Sequence, residues 1–230
     1  MNLEERYFMR IFVQLPIALT ILMFLSPAAH AQMGRWYFTA DAGGNLTSDT
    51  DLKNFFGEPL AANSKVKFDP GVRFGVGAGY KVTDWLGTEI QSGFYANEIK
   101  SITDASRVDA VFSNVPLIAN VRLECPCWSF VRPYCGGGAG VAFPVLDADH
   151  IEIGGTSMHG SEVDEVFAYQ AFAGIRFKIN DQMGLSLEYR YFHSDSAEWK
   201  AEFSEGTSSD KMRFGATETH SLSIAFDFRF

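Results

Sequence analysis

From Gln32 to the last residue, segment after segment places large apolar side chains at every second position, and this period of two constrains the chain more than any other feature. In HSLSIAFDFRF, residues 220–230, Leu222, Ile224, Phe226, Phe228 and Phe230 alternate with Ser221, Ser223, Ala225, Asp227 and Arg229. Successive side chains of a strand point to opposite faces, so the segment has one greasy face and one polar face, whereas a helix needs a repeat near 3.6. The stretch predicts an ordered terminal strand.

The same two faces recur upstream. WYFTADAGGNL sets Trp36, Phe38, Ala40 and Ala42 against Thr39, Asp41 and Gly43, and GVRFGVGAGYKV sets Val72, Phe74, Val76, Ala78 and Tyr80 against Arg73, Gly75, Gly77, Gly79 and Lys81. LGTEIQSGFYA, FSNVPLIANVRLE, FVRPYCGGGAGVAFPV, VFAYQAFAGIRFKI and GLSLEYRYF continue the pattern, and the terminal run makes eight strands. Their connections alternate in length. Val82 to Trp85, Cys125 to Trp128 and Asn180 to Met183 are tight turns, while residues 45–69, 98–110, 146–164 and 195–217 read as four long polar loops. Short turns at one end and long loops at the other describe an all-β, eight-stranded antiparallel up-and-down transmembrane β-barrel, its long loops extracellular.

A soluble up-and-down barrel also has one greasy face, so the polar face must discriminate. It carries Gly75, Gly77, Gly79, Gly136, Gly138 and Gly140 beside Arg73, Arg122, Glu124, Arg132, Arg176, Glu188, Arg190, Asp227 and Arg229. Glycine weakens an exposed strand, whereas a narrow eight-stranded lumen needs small side chains next to charges that pair. The charges are therefore predicted to point inward, with Arg122, Arg132, Arg176 and Arg190 meeting Glu89, Glu124 and Glu188, and Arg73 on the same face. Such an interior is filled, so bulk conduction is not expected. Trp85 and Trp128 at short turns, with Phe94, Phe143, Phe167 and Tyr191 near the other strand ends, suit interfacial girdles.

The first 31 residues lack the alternation. Residues 11–25, IFVQLPIALTILMFL, form an apolar run preceded by Arg6 and Arg10 and followed by an A-x-A site at Ala29 and Ala31. This predicts a cleaved signal peptide over 1–31 and a barrel domain over 32–230, exported to the cell outer membrane. Removing the leader takes two Arg and two Glu and leaves the net charge of -9 unchanged, which disfavours nucleic acid as a partner.

Taken in order, WYFTADAG, FGVGAGY, RPYCGGGAGVAF, GLSLEYRYF and SLSIAFDFRF resemble the opacity-type, OmpA-like outer-membrane β-barrels. The resemblance covers nearly all of 32–230. It implies a non-enzymatic surface protein concerned with envelope integrity, adhesion or host contact. Its implied partners are outer-membrane lipid and lipopolysaccharide, a host or surface ligand met by the loops, and the barrel-assembly machinery, which would read Phe230 as its signal.

Alternatives remain for chemistry. GVGAG and GGGAG open no helix and lack the Lys-Ser/Thr of a phosphate loop, and no cofactor is expected. FHSDSAEW resembles the His-x-Ser-Asn segment of outer-membrane lipid A deacylases: His193 would activate Ser194 or Ser196, oriented by Glu198 or Glu202. Here the Asn is missing, and adjacent strand residues face opposite sides, so the site would need a bulge. A small-solute channel is the third reading. Asp147, Asp149 and Glu152 in an acidic loop would offer weak divalent-cation binding, against the simpler reading of a solvated loop. Of the cysteines, Cys125 and Cys127 are the pair expected to bridge if any does; Cys135 sits about seven residues up its strand, roughly 20 Å from the turn.

Overall fold

The computed structural model describes residues 35–58, 60–61, 63–153, 156–200 and 211–230. The expected leader, with Ala29 and Ala31, lies outside the described residues, as does Glu202. Among the described residues thirteen strands follow in order: β1 (Trp36–Thr47), β2 (Thr50–Phe55), β3 (Lys65–Phe68), β4 (Gly71–Lys81), β5 (Leu86–Ile102), β6 (Ala105–Glu124), β7 (Val131–Ile153), β8 (Thr156–Val163), β9 (Val166–Lys178), β10 (Met183–Ser194), β11 (Glu198–Lys200), β12 (Lys211–Phe214) and β13 (Thr217–Arg229).

Eight of these close a ring in the order β1, β4, β5, β6, β7, β9, β10 and β13, every neighbouring pair antiparallel. The terminal strand seals it, pairing with β1 from Tyr37 opposite Arg229 to Thr47 opposite Thr219. Closure leaves no unpaired edge, the condition for placing backbone in lipid. Side chains set the short turns: Thr83 Oγ1 accepts the Trp85 and Leu86 amides, and Asn180 Oδ1 accepts those of Gln182 and Met183.

The eight strands are those read from the sequence, but among the described residues the connections at the other end are largely strand rather than polar loop. β5, β6 and β7 run well beyond the closed ring, and β2, β3, β8, β11 and β12 build a second storey. β3 pairs with the top of β5, β2 with β3, β12 with β2 and β11 with β12, while β8 pairs with the top of β7. β5 and β6 join through a tight turn with Asp104 in the left-handed region at φ 62°, which Asp tolerates.

The two storeys have opposite insides. In the ring the outward positions are apolar: Phe74, Ile90, Leu117, Leu187 and Ile224 are each 48% exposed or more, and the inward ones are polar. In the upper storey Phe55, Val66, Leu146, Ile151, Met212 and Phe214 are wholly buried. β6 shows the exchange within one strand, with Ala110 and Phe112 buried inside and Leu117, Val121 and Leu123 exposed outside. Burying a large apolar side chain from water is worth about 1.5–3 kcal/mol, a drive that lipid does not supply. Grease therefore faces outward where lipid surrounds the strand and inward where water does.

Candidate functional site

The lumen is the most elaborate polar assembly among the described residues, and the glycines make room for it. A Cβ on Gly75 would enter the Asp41 carboxylate, and one on Gly138 would enter the Asn120 amide and the Ala119 main chain. Tyr37 and Tyr134 lie over glycines directly across from them, Gly79 and Gly174. The polar side chains meet at successive levels.

At the short-turn mouth, Glu124 accepts from Arg229 Nη2 at 2.9 and 3.0 Å, Lys81 Nζ at 3.1 Å and Arg132 Nη1 at 3.3 Å, with Arg176 Nη1 at 3.6 Å. Arg132 and Arg176 face each other across β7 and β9, an unfavourable pairing that Glu124 bridges. One level deeper, Asp227 takes Arg122 Nη1 at 3.1 Å and the Ser186 hydroxyl at 2.7 Å. The Arg122 guanidinium lies 3.8 Å from the centre of the Tyr134 ring, and the Tyr134 hydroxyl donates to Glu188 at 3.0 Å.

Halfway up, Arg190 binds Glu188 through Nε at 3.1 Å and Nη2 at 2.5 Å and donates Nη1 to Gln91 Oε1. Gln170 Nε2 donates to Gln91 at 2.9 Å and to Asn120 at 2.8 Å, and Arg73 pairs with Asp41. Glu89 is buried on the same face, within the lumen beside Gly77. The top is closed by Asn114 donating to Ser194 at 3.0 Å and by Tyr95 stacked on Phe192 at 4.9 Å. Arg229 with Glu124, Arg122 with Asp227 and Arg190 with Gln91 each span strands four places apart in the ring of eight, so side chains cross its full width at three levels.

The amides Gln91, Asn120 and Gln170 and the two tyrosines were not singled out as a unit from the sequence. Their signal was parity: Gln91, Asn120, Gln170 and Tyr134 each lie an even number of residues from an inward Arg or Glu on their own strand, and Tyr37 lies four residues from the inward Asp41.

A family model described as the outer membrane protein beta-barrel domain matches residues 15–230. The chain belongs to that family. Relatives of this outer-membrane barrel include an uncharacterized protein of Brucella abortus, 27% identical over 198 residues that make up 72% of this chain and 70% of its own length. A candidate adhesin of Rickettsia conorii is 27% identical over 206 residues, 85% of this chain and 82% of its own. Among solved structures, Neisserial surface protein A superposes with a TM-score of 0.54 at 15% identity, covering 85% of this chain and 97% of that one. OprG from Pseudomonas aeruginosa gives 0.57 at 15% identity, covering 86% and 97%. At these identities the two share the barrel's fold.

The outer-membrane barrel scatters the candidate triad. His193 points outward, stacked on Tyr169 at 4.7 Å with Nε2 3.5 Å from Asp195, whereas Ser194 points into the lumen and bonds Thr217 at 2.7 Å. Lys53 donates to Ser196 Oγ at 3.3 Å, and Glu198 pairs with Lys211 at 2.9 Å. No bulge brings these groups together; β10 stays in register with both neighbours through Ser194.

The acidic loop is likewise corrected to strand. Asp147 and Asp149 lie outward on β7, where burial and the neighbouring Asp149 charge hold the Asp147 carboxyl above its ordinary range. Glu152 lies 3.6 Å from His150 beyond a bulge, and among the described residues no three His, Cys, Asp or Glu groups converge as metal ligands. Cys125 and Cys127 form a disulfide, with Cα atoms 5.2 Å apart, and Cys135 is free and exposed. The register places Cys135 opposite Leu123, only a diagonal step from Cys125, because the turn spans residues 125–130; the sequence estimate measured from the hairpin tip and overstated the separation.

Proposed function

We propose that this outer-membrane barrel is a non-enzymatic surface protein: a plugged ring that anchors a folded extracellular head for envelope integrity or adhesive contact. The observation that carries the reading is the pairing of a lumen crossed at three levels by side chains with an apolar-cored head built from the long connections. A channel gains nothing from such a crossing, and a lipid A enzyme needs His193 and a serine on one face. A head with its own core presents a fixed surface, which lowers the ordering cost of binding a partner. The apolar belt would contact outer-membrane lipid, and the head would stand among lipopolysaccharide and meet the host or surface ligand. The likeness to the Rickettsia conorii protein supports the adhesive form.

The test compares cells producing the wild-type protein with cells producing a variant whose head core is cut by Trp199→Ala and Phe214→Ala, at equal surface amounts. Wild type should raise attachment to host cells or abiotic surfaces, and the variant should lose that gain. A changed acyl or sugar pattern of lipid A in a deletion strain, read by mass spectrometry, would replace this reading with the enzymatic one.

A further inference from the structure

Three cysteines lie on one hairpin of the ring, and the function proposed above uses none of them. Cys125 directly follows β6, Cys127 stands in the exposed turn and Cys135 lies on β7. Cys125 and Cys127 are bridged, with Cα atoms 5.2 Å apart, whereas Cys135 keeps a free thiol on the outer face. A thiol beside a disulfide is a pair of reactants, because attack of a thiolate on a disulfide sulfur exchanges the partners without any outside reagent.

The register brings the reactants together. The Cys125 amide donates to the Pro133 carbonyl at 2.8 Å, which carries the pairing of β6 with β7 one residue past Glu124, and Leu123 faces Cys135. Cys125 and Cys135 are therefore diagonal neighbours on the same outward face. Such neighbours have Cα atoms about 7–8 Å apart and side chains closer than that, against at most about 6.8 Å between the Cα atoms of a finished bridge. A closure of about 1 Å joins them, and Cys125 stands where strand pairing ends and the turn begins. Cys127 lies two residues further into the turn, so Cys125 carries the sulfur within reach. On its other flank Cys135 faces Ala173, whose methyl group leaves the thiol uncovered.

We propose that the three cysteines are one thiol–disulfide exchange site, in which Cys125 pairs with either Cys127 or Cys135 and the free thiol passes from the barrel wall to the turn. The Cys135 thiolate attacks Sγ of Cys125; the bond between Cys125 and Cys127 breaks as the bond between Cys125 and Cys135 forms. Cys127 leaves as a thiolate and takes up the proton that Cys135 gave away, so nothing is oxidised or reduced overall. The short turns of an outer-membrane barrel face the periplasm, an oxidising compartment. There the released Cys127 is an attachment point for a disulfide-bearing molecule: its thiolate attacks that disulfide, one half stays on Cys127 and the other half leaves as a thiol.

The experiment uses the full chain refolded in detergent micelles at mildly alkaline pH. Iodoacetamide labels free thiols, and a chymotryptic map read by mass spectrometry locates the label, since cleavage after Tyr134 separates Cys135 from the other two. At least a tenth of the wild-type chains should carry the label on Cys127 and none on Cys125. Oxidised glutathione should place its mixed disulfide on Cys127 in the wild type and nowhere in Cys135→Ser. Two further variants test the geometry. Cys127→Ser, oxidised in air, should form the bridge between Cys125 and Cys135, whereas Cys125→Ser should keep both of its thiols within the chain. Both lose the native bridge, so a shared folding defect produces no difference between them, and the wild-type map needs neither. Label or glutathione on Cys135 alone in the wild type, or equal bridging in the two variants, would overturn the site.

Discussion

Arg122 and Asp227 pair at 3.1 Å across the whole width of the barrel, from strands β6 and β13 that stand four places apart in the ring of eight. Breaking such a buried pair on one side strands the other charge, at a cost of about 3–5 kcal/mol. Arg122→Leu or Asp227→Leu alone should therefore lower the unfolding free energy of the refolded barrel by that order. The two together should lose less than the sum, and equilibrium unfolding in urea over a double-mutant cycle measures the difference.

Gly174 should not tolerate a methyl group. A Cβ there would enter the Tyr134 ring, whose hydroxyl holds Glu188 and whose face holds Arg122. Overpacking of this kind costs about 1–3 kcal/mol, so Gly174→Ala should lower the thermal midpoint while leaving the strand content seen by circular dichroism intact.

The head should fail separately from the ring. Trp199 is 1% exposed, packs edge-on against Phe214 at 4.9 Å and donates its indole N–H to the Pro144 carbonyl at 3.3 Å. Truncating such a side chain costs about 3–5 kcal/mol. In Trp199→Ala, limited proteolysis should cut within the head while the ring remains as a resistant fragment that migrates as a folded barrel on gels.

The head should also loosen in acid. Glu198 is held below the ordinary carboxylate range by its bond to Lys211 and the nearby charges, and Asp51 by Lys65. A depressed folded pKa contributes stability that is present above the unfolded value and is lost as pH falls through the folded one. Both links, joining β11 to β12 and β2 to β3, should therefore weaken below the usual carboxylate range, and more so in low salt because they are exposed. Asp147 works the other way, since its raised value favours the protonated folded form as pH falls. Proteolysis rates of the head from neutral pH down into that range should rise, and Glu198→Gln should show less of the rise.

Phe230 should matter for assembly more than for the finished fold. Its amide donates to the Trp36 carbonyl at 3.2 Å, a main-chain bond that Phe230→Ala retains. The variant should refold in detergent like wild type, yet reach the cell surface in smaller amounts, as read by surface labelling. Equal surface amounts would remove the assembly role.

The ring was legible because lipid imposes one rule on every strand that crosses it: apolar side chains on one parity, and on the other small or charged ones. SLSIAFDFRF and GVRFGVGAGYKV obey it for ten residues or more, long enough for the period to show. The head was missed because its strands are short. KVKF, EWK and KMRF offer one or two apolar residues each among charges, which reads as solvated loop, although Val66, Phe68, Trp199, Met212 and Phe214 fill the upper core. In the lumen the parity of each charge could be read, but partners such as Arg122 and Asp227 are fixed by the stagger of the closed ring, which no single strand contains.

The exchange of faces within β6 has a practical meaning. Between Phe112, buried inside, and Leu117, exposed outside, the strand passes from water to lipid, and Phe192 and Leu187 mark the same passage on β10. The protein thus carries its own waterline, written into each long strand as the place where the oily stripe changes sides. Moving that mark by two residues on one strand would tilt the barrel or sink its head, without removing a single hydrogen bond.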